Sequence, residues 1–175
     1  FVADLVYSSP MTDPKAYLLL VDDMPDILST LSRLLELQGY RIAAAGSGPE
    51  ALELAKREVP DLILLDVDMP QMNGFEVCRR LRANGKTQQV PILFLSGLAE
   101  PSQKIEGLTA GGDDCVAKTT DFGELKARIE SLLRRHRRGT GANPVTGMPS
   151  PWVVEEGVTQ RIIDRRPFAL AIADI

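Results

Sequence analysis

The chain is poor in the residues that build covalent or metal frameworks. Its 175 residues include two cysteines and one histidine. Cys78 and Cys115 lie far apart without metal-type spacing, so they read as isolated thiols of a reducing compartment rather than a disulfide framework. Aromatic residues make up 5% of the chain, with one Trp at position 152. No apolar run approaches the roughly 20 residues that a membrane helix needs, so no membrane partner is expected. The opening stretch FVADLVYSSP has no basic residue and too short an apolar run for a signal peptide, and a cytoplasmic location is expected. Met11 is a candidate native start, with residues 1–10 then either foreign or an upstream extension. Cations are also in deficit. The net charge of -4 disfavours nucleic-acid binding by the surface as a whole.

What is present is an ordinary globular composition, 44% hydrophobic and 25% charged, enough for one full domain and a smaller piece. The chain is organised around residues 62–70, LILLDVDMP. The run Leu62-Ile63-Leu64-Leu65 reads as a fully buried strand that stops at Asp66. Asp68, Met69 and Pro70 turn the chain away. A second such run, residues 17–21, ends in Asp22-Asp23. A third, residues 91–95, ends in Ser96-Gly97. A shorter strand over 113–117 ends in Lys118, and another is expected over 40–45.

Helical spacing of apolar residues fills the gaps. Pro25 and Gly39 bracket one helix, with Ile27, Leu28, Leu31, Leu34 and Leu35 on one face. Others run from Ser47 to before Pro60, from Gly74 to about Asn84, and, more weakly, from Ser102 to Ala110. Asp121 caps a last one carrying Phe122, Leu125, Ile129, Leu132 and Leu133. Five strands alternating with helices predict an α/β fold: a five-stranded, doubly wound parallel sheet. In the order 2-1-3-4-5, strands one and three adjoin at a topological switch point, where such sheets bind ligands. Asp22, Asp23 and Asp66 then share a crevice flanked by Ser96 and Lys118.

Carboxylates so placed repel one another by roughly 4 kcal/mol per pair at ~4 Å and an effective dielectric of about 20. An oxygen-only donor set suits Mg²⁺, which binds one or two carboxylates together with phosphate oxygens. A carboxylate beside that ion can act as a nucleophile toward a phosphoryl group, giving an aspartyl phosphate at Asp66. Lys118 and Ser96 would meet the phosphoryl oxygens. The plainer readings are a strand-end cap at Asp66, a helix N-cap at Asp22 or Asp23, and a solvated Lys118; one of the paired acids is expected to cap the helix while the other binds metal.

These features together resemble the receiver domain of two-component response regulators. The resemblance rests on the paired acids, the D-x-x-M-P-x-M-x-G segment at residues 66–74, the hydroxyl of Ser96 and the amine of Lys118. It covers about residues 17–138, after an N-terminal extension over 1–16. It implies Asp66 as phosphoacceptor, with Mg²⁺ held by Asp23, Asp66 and the backbone carbonyl of Asp68, and with Asp22 in support. It also implies Ser96 and Lys118 as the residues that sense the phosphoryl group, and a sensor histidine kinase or phosphotransfer protein as partner. Two positions depart from the family: Cys115 stands where a switch aromatic is frequent, and Thr119 where proline is usual.

Residues 139–175 read as a linker and the start of a second domain. Residues 143–149, NPVTGMP, resemble the D-x-L-T-G-L-P opening of GGDEF-type diguanylate cyclase domains. A helix is expected over 153–165. Residues 168–174, FALAIAD, resemble that family's first strand, whose terminal aspartate, here Asp174, binds metal. The signature loop is not among these residues, so they are not expected to make a cyclic dinucleotide. Two other functions compete with the phosphorylated receiver. One is a haloacid-dehalogenase-like phosphatase using Asp66 and Asp68 as its D-x-D pair. The other is an unphosphorylated dimerisation module. A homodimer is expected through the last strand-helix face or the tail. The arginines among residues 134–138 read first as cations favoured by a helix C-terminus.

Overall fold

The computed structural model describes residues 14–97, 106, 107 and 109–139. The expectations for residues 1–13, for the helix over 153–165, for the strand over 168–173 and for Asp174 lie outside the described residues. Residues 1–129 and 130–175 separate into two units, and the first holds the sheet.

Five parallel strands form one sheet: β1 (Tyr17–Val21), β2 (Arg41–Ala45), β3 (Leu62–Asp66), β4 (Ile92–Ser96) and β5 (Asp114–Ala117). Their order is β2-β1-β3-β4-β5, as the alternation of runs predicts. The helices are α1 (Pro25–Leu37), α2 (Gly48–Arg57), α3 (Gly74–Arg82) and α4 (Phe122–Gly139). Between β4 and β5, residues 106, 107 and 109 are helical, the described part of the weak helix expected there.

The central strands are continuous apolar runs because both faces of the sheet are covered. Leu18, Leu19, Leu20, Leu62, Ile63, Leu64 and Leu65 have no exposed surface. Side chains alternate between the faces. On one face, Leu19, Val21, Ile63, Leu65, Ile92 and Phe94 join Ala51, Ala55, Phe75, Val77, Cys78 and Leu81 in a single cluster. Outside that cluster, Leu35 of α1 and Leu125 and Ile129 of α4 are also buried.

Local chemistry sets the helix starts. The Ser47 hydroxyl caps α2 by accepting from the Glu50 N–H, and the Asn73 carboxamide caps α3 by accepting from Glu76. Asp121 caps α4 through the N–H groups of Gly123 and Glu124. At α1 the expectation of an aspartate cap fails. The N-cap is Met24, with no side-chain cap, and Asp22 instead turns inward and accepts from the Met24 N–H at 2.9 Å. Pro25 at the first position leaves one fewer N–H to satisfy there.

Candidate acidic site at the strand ends

Three strands deliver the acids and the amine to one place. β1 and β3 pair in register from Leu18↔Leu62 to Val21↔Leu65, so the next residue of each strand emerges beside the other. One carboxylate oxygen from each of Asp22, Asp23 and Asp66 lies within 4.8 Å of the others. Asp22 and Asp66 are fully buried and Asp23 is half-buried, so the pocket opens to solvent on the Asp23 side.

Lys118 bridges the two buried acids. Its Nζ lies 2.7 Å from Asp22 Oδ2 and 2.9 Å from Asp66 Oδ2. Backbone pairing places it there, because its N–H donates to the Ser96 carbonyl at 2.7 Å as β5 leaves the sheet. Apart from this ion pair, neither Oδ2 has a hydrogen-bond partner among the described residues. Asp66 Oδ1 accepts from the Asp68 N–H at 3.3 Å.

The geometry dictates the electrostatics. Burial raises the pKa of Asp66. The neighbouring Asp22 adds to the rise, while the bonds to Lys118 and the Asp68 N–H oppose it. For Lys118, burial works to lower the pKa, but the hydrogen bonds and charges of Asp22 and Asp66 outweigh it and raise the pKa overall. When all three acids are ionised, three carboxylates face one ammonium, leaving two negative charges in excess. Oxygen donors, buried atoms short of partners and an excess of two charges fit a hard divalent cation.

Ser96 ends β4 and is fully buried at the same strand-end rim. Asp68 is exposed beyond β3. Cys115 is half-buried on β5, in register with Phe94 and packed against the core. Thr119 is exposed in the turn after Lys118. Beside Lys118, a cavity of about 400 Å³ opens toward α1 and the start of α4, lined by Ile27, Leu31, Leu34, Leu95, Phe122 and Leu125 among others. One contact escaped the sequence reading. The backbone of Gly74 sits directly against the Asp66 carbonyl, and its one sequence signal was the glycine closing the D-x-x-M-P-x-M-x-G segment.

A doubly wound sheet with its acids and one lysine gathered at the switch point defines a receiver-type module. The chain belongs to the response regulator receiver domain family, whose sequence model matches residues 18–130. It is 42% identical over 128 residues to "Response regulator MprA" of Mycobacterium leprae (strain TN), covering 73% of this chain and 55% of that protein. It is 40% identical over 121 residues to "DNA-binding dual master transcriptional regulator RpaA" of Synechocystis sp. (strain ATCC 27184 / PCC 6803 / Kazusa), covering 69% of this chain and 50% of that protein. The chain thus spans about half the length of these relatives. Among solved structures, it resembles the BeF3-activated N-terminal receiver domain of Klebsiella pneumoniae RstA. The TM-score there is 0.62 at 32% identity, covering 67% of this chain and 98% of that one.

Family membership corrects the phosphatase alternative. The Asp66-Val67-Asp68 pair ends the third strand in sequence, between β1 and β4, and not the first strand that a haloacid-dehalogenase core requires. Among the described residues, no helix is long and apolar enough to cross a membrane.

Proposed function

We propose that Asp66 is the phosphoacceptor of this receiver and that Asp22, Asp23 and Lys118 make it competent. The observation that carries this is the fully buried Asp66 carboxylate, held between Asp22 and the Lys118 ammonium at the rim of the sheet. In the proposed reaction a carboxylate oxygen of Asp66 forms the new P–O bond. The bond from phosphorus to the donor breaks, and the donor leaves with that bonding pair. A sensor histidine kinase or phosphotransfer protein would present the phosphoryl group on an imidazole nitrogen.

Mg²⁺ would be held by Asp23, Asp66 and the Asp68 backbone carbonyl, with Asp22 in support, and when bound it would neutralise charge on the phosphoryl oxygens. Lys118 would keep one positive charge against the acceptor, and Ser96 would donate its hydroxyl to a phosphoryl oxygen. Incubation with acetyl phosphate and Mg²⁺ should add the mass of one phosphoryl group to wild type and none to Asp66→Asn. Equal gain in both proteins would overturn the assignment.

We infer further that residues 17–138 act as a unit that switches a C-terminal output. The site's signal would leave through β5 and α4, where Arg128 joins Asp114 at 2.8 Å and Glu124 at 2.7 and 2.9 Å on the face proposed for a homodimer. Sedimentation of the phosphorylated and unphosphorylated protein tests that face, and unchanged mass in both states counts against it. For the output, the resemblance of residues 143–149 and 168–174 supports a GGDEF-like segment. A second reading, a DNA-binding output, is favoured by the transcriptional role in the name of RpaA. Sequence beyond Ile175 discriminates between them, by the presence or absence of a G-G-D/E-E-F loop.

A further inference from the structure

The cavity beside Lys118 holds about 400 Å³ and is walled by α1, the start of α4 and the ends of β4 and β5. From α1 come Ile27, Leu31 and Leu34, whose four- and three-residue spacing sets them on one stripe of the helix. All three are only half-buried. Phe122 and Leu125 form a second wall, and Leu95 reaches the space from the sheet. An apolar cavity of about 150 Å³ already admits a benzene ring, and ligand pockets commonly span about 300–1,000 Å³. This space is therefore sized for a ring system carrying a short arm. Its apolar walls lack partner atoms on the open side and gain dispersion contacts from an apolar body that enters.

Charge decides the polar end of such a molecule. Lys118 is the one cation among the lining residues, and its ammonium is already drawn to Asp22 at 2.7 Å and Asp66 at 2.9 Å. Behind it, three carboxylates face that single ammonium. Asp26, exposed in the first turn of α1, adds another carboxylate to the lining, and Thr30 and Thr120 supply hydroxyls. An anion entering here meets an excess of negative charge and a lysine committed elsewhere. An ammonium is attracted, because a cleft lined by one sign of charge gathers the opposite one.

We propose that this cavity is a binding site for a compact apolar amine. The apolar body fills the space between the α1 stripe and Phe122, and the ammonium meets the Asp26 carboxylate at the mouth. The site lies against the backbone that carries the phosphoryl-facing residues, since Leu95 precedes Ser96 and Ala117, in register with Ser96, precedes Lys118. Binding itself does not depend on Asp66 being the phosphoacceptor, so either reading can fail without the other.

The test is titration of the whole chain with three probes that share one ring, read by amide and methyl NMR. Tryptamine should shift the signals of Ile27, Leu31, Leu34 and Leu125 saturably, with a Kd of about 1 mM or tighter for a molecule of its size. Indole, without the ammonium, should bind about threefold more weakly, the scale of an exposed ion pair. Indole-3-acetate, an anion, should bind more weakly than either. Ethylamine, without the ring, should leave those signals unmoved. Asp26→Asn should weaken tryptamine by about threefold and leave indole unchanged. Leu31→Trp, which fills the cavity, should weaken both by about tenfold or more. If that variant does not fold, Leu34→Phe serves the same purpose. Tryptamine shifts confined to Asp22, Asp23 and Asp66, or no saturable shifts at all, overturn the proposal. So does indole-3-acetate binding as tightly as tryptamine, or a folded filling variant that binds like wild type. Wild type that sediments as a dimer, and becomes monomeric on Leu31→Trp, assigns the cavity to a second copy of the chain and overturns it equally.

Discussion

The two ends of the sheet treat charge in opposite ways. At the carboxyl end, two acids are fully buried, a third is close by, and a single lysine answers them. At the amino end, the two arginines Arg82 and Arg41 each have a carboxylate partner. Arg82 donates to the carbonyls of Gly111 and Val90 at 2.8 and 2.7 Å and to Asp113 at 3.0 Å. The same Asp113 carboxylate accepts from the Ile92 N–H, so one guanidinium ties the end of α3 to the starts of β4 and β5. Arg41 pairs with Glu58 and lies over the Tyr17 ring at 3.8 Å. One end is satisfied by the protein's own groups. The other is left short of positive charge, which suits it to receive a cation and a phosphoryl group and makes it the costlier end to fold.

Breaking each end should therefore have opposite consequences. The largest effect is expected for Asp66→Asn, which should abolish phosphoryl labelling yet stabilise the fold. Burial and Asp22 raise the Asp66 pKa, so ionised Asp66 is disfavoured in the folded state. The variant should therefore unfold at a higher urea concentration than wild type at neutral pH, with Lys118 still paired to Asp22. The linkage sign gives a control. A raised carboxylate pKa means the folded protein binds the proton more tightly, so this group's penalty grows as pH rises through the folded value. Below the unfolded value, near 3.8, both states are protonated and the penalty vanishes. The advantage of the Asn variant should shrink to nothing there in urea unfolding.

Arg82→Ala comes next. It should cost about 2–3 kcal/mol in urea unfolding, because it leaves several acceptors without their donor. It should leave Mg²⁺ affinity unchanged, since the clamp sits at the far end of β4 and β5. A comparable loss of Mg²⁺ binding would blur the division between the two ends.

Lys118→Ala sharpens the carboxyl end further. The raised Lys118 pKa means its stabilising contribution is fully present below the unfolded value of about 10.5 and is lost as pH rises through the folded value. The stability difference between wild type and this variant should therefore be flat at neutral pH and collapse only in strong alkali. The smallest effect is expected for Arg41→Ala. Its partner is exposed, and solvent screens such pairs, so the thermal midpoint should not move measurably.

Much of this was legible in the sequence because the strands announce themselves. Four of the five strand runs end in a residue with chemistry: Asp22 and Asp23, Asp66, Ser96, Lys118. Right-handed crossovers then leave little freedom in how those ends meet. What was not legible is non-local. Arg82 reads as one more cation in a basic last turn, and its partners lie 5 to 31 residues further on. The cap of α1 was misread for a related reason. An aspartate before a helix ordinarily caps it, but here Lys118, 96 positions away in sequence, draws the Asp22 carboxylate into the pocket. Cys115 marks a third limit. The residue is plain in the sequence, but its packing beside Phe94 depends on the β4–β5 register.

The most direct measurement is chemical localisation of the acyl phosphate. Borohydride reduces an aspartyl phosphate to homoserine, so the labelled protein can be reduced, digested and sequenced by mass spectrometry. Homoserine at position 66, appearing only when Mg²⁺ was present during labelling, is the predicted result. Homoserine at Asp22, Asp23 or Asp68 with position 66 unmodified would contradict it.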